Sequence, residues 1–221
     1  MLNSSSFLIE FQSRLPANLR AKFISLKTPF AIQEYLDRMP YIGEERDRSP
    51  LHVMLDGQCH CLDGGFFAAL ALWQIGFQPL LIDLVPNPGL DDDHVLALFQ
   101  MDGRWGAVAK SNYINLGFRE PVYKNLRELV MTYFEHYVSV HQEKTLRGYT
   151  RPLHASRYTH LNWAWDEAGA NQLYHKHFYG RKSIPLISTS TADRLQPVTD
   201  RAYAAETMHT NLKESFGNRD A

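Results

Sequence analysis

From Cys61 to Gly76 the chain carries an apolar run with helical character, Leu62-Asp63-Gly64-Gly65-Phe66-Phe67-Ala68-Ala69-Leu70-Ala71-Leu72-Trp73-Gln74-Ile75. Gly76 closes the run, and Pro79-Leu80-Leu81-Ile82-Asp83-Leu84-Val85 follows as a strand-like stretch. Its first residue is a thiol at a helix N-terminus, where unpaired backbone N–H groups and the positive end of the helix dipole favour a thiolate. Cys61 is therefore expected to be primed to ionise.

Downstream, the acidic run Asp91-Asp92-Asp93 precedes a strand pattern at His94-Val95-Leu96-Ala97-Leu98-Phe99. Asp102-Gly103 is a two-residue turn signal, and Trp105-Gly106-Ala107-Val108-Ala109 returns as the second strand of a hairpin. Upstream, Thr28-Pro29 starts a first helix whose apolar positions, Ala31, Ile32, Tyr35, Leu36 and Met39, run to Pro40. Residues 41–56 read as a charged connection, and 126–138 has helical periodicity. The aromatic-rich stretch 163–179 has no clean period. Asp200 to Phe216 reads as a final amphipathic helix capped by Asp200 and stopped by Gly217, after the polar stretch Ser188-Thr189-Ser190-Thr191.

Over about residues 58–112 the chain resembles the transglutaminase-like superfamily, a papain-type group in which a helix-capping Cys is followed by a His on one strand and an Asp on the next. The resemblance rests on the Cys61 to Gly76 spacing, Gly65 one turn after the Cys, the Gly76-Phe77 exit, His94, and Gly103-x-Trp105-x-x-Val108. It implies an α+β fold: a papain-like transglutaminase core, the Cys helix packed on an antiparallel sheet, with additional C-terminal helices. The expected division is 1–187 for this domain with its helical elaborations and 188–221 for a polar segment and C-terminal helix. The implied activity is thiol-dependent acyl transfer or amide hydrolysis. Its partners are an acyl donor (peptide, amide or thioester) and, for transfer, an amine acceptor. Ala109 stands where the superfamily has its Asp, which motivates a second expectation, a transglutaminase fold retained as a non-catalytic binding protein.

The expected catalytic set is Cys61 as nucleophile, His94 as its acid/base, and Asn112 as the residue that orients the imidazole. Across a two-residue turn at Asp102-Gly103, Gln100 faces Trp105 and the ladder continues to bring His94 opposite Ser111, while a one-residue bulge substitutes Asn112. Ser111 is the alternative third residue; Asn112 is preferred because a carboxamide oxygen is the better fixed acceptor for an imidazole N–H. The acidic run is expected as a solvated loop that raises the His94 pKa. The Cys61 N–H, with Gln58 as a second donor, is the expected oxyanion site. Cys59 ranks second as nucleophile.

No metal or cofactor is expected. Cys59-His60-Cys61 lacks a second ligand pair for zinc, and Asp91-Asp92-Asp93 lacks the alternating ligands of a calcium loop. His175-x-His177 is read as a surface or core pair. A net charge of −1 gives no bulk attraction to nucleic acid or anionic membrane, and no apolar stretch approaches the ~20 residues of a membrane span. Two cysteines separated only by His60 are poorly placed to bridge one another, which suits a reducing, cytoplasmic setting.

Overall fold

A computed structural model of the chain describes residues 4–218. Two helices precede the first expected one: α1 (Ser4–Arg14) and α2 (Ala17–Ser25) come before α3 (Pro29–Asp37). Phe7, Phe11 and Leu15 recur every fourth residue, and all three are buried. At α3 the sequence expectation holds, with the Thr28 hydroxyl accepting from the Ala31 N–H at 3.1 Å. Within the charged connection lies α4 (Pro50–Asp56), whose Leu51, Val53 and Met54 are buried and which ends at Gly57 with φ +66°. The flanking charges of residues 44–48 hide this short apolar helix from a periodicity reading.

The Cys helix is α5 (Cys61–Gln74), followed by β1 (Leu80–Pro86), β2 (His94–Met101) and β3 (Arg104–Val108). Asp102 and Gly103, at φ 50° and 71°, form the turn that sets Gln100 opposite Trp105. After β4 (Arg119–Tyr123) and α6 (Leu126–Met131) come β5 (Leu146–Thr150), β6 (Leu153–His154) and α7 (Glu167–Leu173). The aromatic stretch continues α7 as a π-turn at Tyr174–Phe178, and β7 (Ser183–Pro185), α8 (Thr189–Ala192) and α9 (Asp200–Glu206) complete the set. All strands pair antiparallel in a seven-stranded sheet of order β4-β3-β2-β1-β5-β7, with β6 on β1. Among the described residues no helix is long and apolar enough to cross a membrane.

Period-two alternation gives the sheet two covered faces. Leu81, Val95, Ala97, Phe99 and Val108 join one core with α5 and the N-terminal helices, while Ile82, Leu84, Leu96, Leu98, Ala107 and Ala109 join a second with α6. The helix packs tightly on β2 and on the residues after β3 at the two glycines of the first turn of α5. A Cβ on Gly65 would lie 2.5 Å from Val95 Cγ1, and one on Gly64 would lie 2.4 Å from Lys110 Cβ. Close packing is thus why glycine stands there despite its low helix propensity.

The expected last helix is shorter and differently capped. It spans Asp200–Glu206 with Thr199 as its cap, and a positive φ of 62° at His209 redirects the chain. Contacts made further along by residues 211–215, described below, outweigh the helical periodicity.

Gly65→Ala is expected to gain up to ~1 kcal/mol of helix propensity and to lose about 1–3 kcal/mol to overpacking against Val95. Chemical denaturation should show a net loss of stability.

Candidate active site

Cys61 opens α5 and His94 opens β2, so both stand where the ends of helix and sheet meet. The Cys61 thiol donates to the Asp93 carbonyl at 3.7 Å, which ties the sulfur to the backbone just before His94. His94 Nε2 lies 2.8 Å from the Leu116 carbonyl oxygen. A carbonyl only accepts, so Nε2 carries the hydrogen and Nδ1 is the unprotonated nitrogen of the neutral ring. The Tyr137 ring packs edge-on to the imidazole, with centroids 6.4 Å apart, and its hydroxyl donates to the Asp92 carbonyl at 2.6 Å. Cys61 and His94 line one cavity of about 40 Å³ together with Asn112, Tyr137, Ser215 and Phe216.

The electrostatics of this cavity correct two expectations. Burial pushes the Cys61 thiol well above its ordinary range, and Asp93, Asp83 and Asp63 push the same way against the Val95 N–H. Burial also brings His94 down to about 4, against the pull of the Leu116 carbonyl and with Arg119 adding to the fall. The folded pair is therefore a neutral thiol beside a neutral imidazole. A helix terminus contributes only ~0.3–1 kcal/mol at an exposed position, and the thiol of this buried residue loses more than that in hydration. Nor is the acidic run a solvated loop: it is half-buried, and Asp91 accepts from the Thr145 hydroxyl at 2.7 Å.

Asn112 and Ser111 do not hold the imidazole. The β2–β3 ladder ends at Ala97 and Val108, and beyond it the Gln33 carboxamide grips the backbone of Ala109, donating to its oxygen at 2.9 Å and accepting from its nitrogen at 3.0 Å. With the ladder ended there, the Ser111 hydroxyl accepts from the Tyr113 N–H at 2.9 Å. The Asn112 carboxamide turns to residues 211–215 instead: it donates to the Asn211 carbonyl at 2.8 Å and to Ser215 Oγ at 3.2 Å, and its oxygen accepts from the Asn211 N–H at 3.1 Å. Sequence reasoning missed the Leu116 carbonyl, because a backbone oxygen has no residue signature.

Gln58 does not line the cavity. Cys59 is fully buried and bridges to Tyr41, with burial pushing its thiol up to about 12. Beneath the first turn of α5 lies an ionic network built on Asp63, which is fully buried. Its Oδ1 accepts from the Arg48 N–H at 2.7 Å and its Oδ2 lies 3.6 Å from the Arg48 guanidinium. Arg48, 2% exposed at the side chain, also reaches Asp56 at 2.9 Å and pairs with Glu44. Burial raises Asp63 to about 6 despite His60 and Arg48. His60 Nε2 sits 3.4 Å from both Asp47 and Asp63, and these two carboxylates overcome burial and raise its pKa.

Asp47, His60 and Asp63 present ligand atoms within 4.8 Å of one another, and no cysteine belongs to the group. A cation there would compete with Arg48 for Asp63, so the arrangement fits an ion-pair network better than a metal centre. His175 pairs with Asp47 at 2.7 Å and His177 packs on Tyr158, as expected of a surface or core pair.

No protein-family model matches the sequence, and no curated protein matches it significantly. Among solved structures it is similar to LapG of Legionella pneumophila, at 15% identity and a TM-score of 0.37 over 53% of this chain and 76% of that one. The EGTA-treated form gives 15% identity and 0.38 over 54% and 75%, and the calcium-bound form 14% and 0.38 over 54% and 77%. Scores of this size assign neither family nor activity.

In the folded chain both thiols are expected to alkylate with midpoints above the ~8.5 of an ordinary thiol. Peptide-resolved alkylation against pH checks this, and a Cys61 midpoint at or below that value contradicts it.

Proposed function

We propose that the chain is a thiol-dependent enzyme of the papain-like transglutaminase type, acting on a peptide, amide or thioester by acyl transfer or hydrolysis. What supports this reading is that Cys61 and His94 line one cavity, each at the start of its element, and that the Leu116 carbonyl fixes the imidazole tautomer.

In the proposed cycle His94 Nδ1 takes the thiol proton as Cys61 Sγ attacks the acyl carbon. The Cys61 N–H, without an intrahelical partner at the first position of α5, supports the developing oxyanion. Collapse breaks the bond to the leaving group. For an amide the imidazolium returns the proton to the departing amine; a thioester leaves as a thiolate that takes the same proton. Water or an acceptor amine then attacks the thioester on Cys61, giving its proton to Nδ1, and the thiol is restored. Leu116 serves as the orienting acceptor in place of the superfamily's carboxylate, since Ala109 lies buried in an apolar cluster. A hydrogen-bonded carbonyl fixes ring orientation but adds no full negative charge, so it stabilises the imidazolium less than a carboxylate does.

A second reading, a binding protein that retains the fold without catalysis, draws on Ala109 and on the neutral thiol. Variants separate the two. With an acyl donor selected from a panel of peptide amides and thioesters, Cys61→Ala is expected to abolish turnover without loss of thermal stability. His94→Ala should lower it by about 10²–10⁴-fold, and Cys59→Ala should leave substantial activity. Absence of turnover in the parent chain across the panel, with retained donor binding, would favour the binding protein.

A further inference from the structure

The residues after α9 lie across the mouth of the Cys61 cavity. Glu206, at the end of α9, is held by His136 at 2.7 Å and Asn115 at 2.8 Å, and the chain reverses at His209. From there one wall of the mouth grips it through Asn112 and Tyr113, whose hydroxyl donates to Ser215 Oγ at 3.0 Å. A further hold comes from Gly43, whose N–H donates to the Glu214 carboxylate at 2.6 Å. Ser215 is 3% exposed as a result.

Two features mark this as a peptide groove and not a generic contact. First, the Asn112 carboxamide engages both the N–H and the C=O of Asn211, as a neighbouring strand would. A carboxamide used this way reads main chain and is indifferent to the side chain it meets. Second, the 40 Å³ left beside Cys61 is far below the ~300–1,000 Å³ of ligand pockets, yet two open depressions adjoin it. One, of about 570 Å³, is lined by Lys110, Asn112 and Asn211; the other, of about 290 Å³, by Asp47, Cys61, Asp93 and Tyr179. Tyr41 lines all three. The first shares Ser111, Asn112 and Tyr113 with the central cavity, and the second shares Cys61, Asp92 and Asp93 with it.

We propose that residues 211–216 occupy, in cis, the groove through which an extended acyl-donor peptide reaches Cys61, with Asn112 as the residue that reads the donor's backbone; this rests on Cys61 being the nucleophile. In the folded chain the segment fills the Asn112 side of this groove, and a donor that takes that path must displace it. Displacement also returns water to Cys61 and His94, the change that lets a buried thiol ionise.

The test uses the full chain carrying Asn112→Ala, Ser215→Lys, or both. Modification of Cys61 by N-ethylmaleimide is followed by peptide-resolved mass spectrometry with Cys59 as the internal control, and hydrogen exchange is measured over 211–216. The double variant should lose exchange protection in that segment and modify Cys61 about tenfold faster, the shift in a closed–open equilibrium that losing one or two net hydrogen bonds brings, with Cys59 unchanged. Segment amides that exchange freely without a faster Cys61 reaction would overturn the proposal. So would amides that stay protected in the double variant. If that variant does not melt cooperatively, Glu214→Ala, which removes one rim contact, replaces it under the same two criteria. Maleimide modification reads the groove and peptide turnover reads the nucleophile, so fast modification without turnover would refute the catalytic reading alone.

Discussion

The approach of α5 to β2 at Gly65 and Val95 sets the distance on which the rest of the candidate site depends. A helix carrying any Cβ at position 65 would stand further from the sheet, with its N-terminus displaced from the start of β2. Because the two elements touch there, Cys61 meets the backbone of Asp93 and shares a cavity with the next residue, His94. Lys110, packed against Gly64, carries the same constraint to the end of β3, and its ammonium donates to the Leu36 carbonyl in the last turn of α3 (2.9 Å) and to the Met39 carbonyl just beyond it (2.5 Å). Helix, hairpin and N-terminal layer are thereby fixed to one another around the sulfur.

Holding the pair in this place has an electrostatic consequence. Asp63 and Arg48 sit beneath the first turn, Asp83 and Asp93 lie beside it, and little water reaches the sulfur. Burial raises Asp83 to about 9 and Asp93 to about 6, and each acts on the other, so near neutral pH the pair keeps one proton and the single charge left on it opposes a thiolate at Cys61. The closed structure thus favours an unreactive thiol. Under the proposed function, chemistry requires a change of environment more than a change of residues, and residues 211–216 are the part of the described chain placed to supply it.

Features governed by local periodicity were legible in the sequence. The Cys61–Gly76 helix, the His94 strand, the Asp102-Gly103 turn and the Thr28 cap each rest on spacing within a dozen residues, and the structure has all four. Features set by distant packing were not. Nothing near Leu116 announces that its carbonyl meets an imidazole, and nothing near Asn112 announces that the β2–β3 ladder stops before it, where Gln33 bonds the Ala109 backbone. Residues 207–216 have helical periodicity, yet contacts to Gly43, Asn112 and Tyr113 hold them in another conformation. Burial of Cys61, which decides its protonation, is likewise a property of the assembled fold.

The central claim is that Cys61, and not its neighbour Cys59, forms the bond to an acyl group. Intact mass followed by peptide mapping, after incubating the full chain with a panel of peptide thioesters, tests it most directly. The account predicts a single acyl adduct on Cys61 that is absent when His94 is replaced by alanine at neutral pH. An adduct on Cys59, or none on Cys61 even in a variant whose 211–216 segment is released, would contradict it.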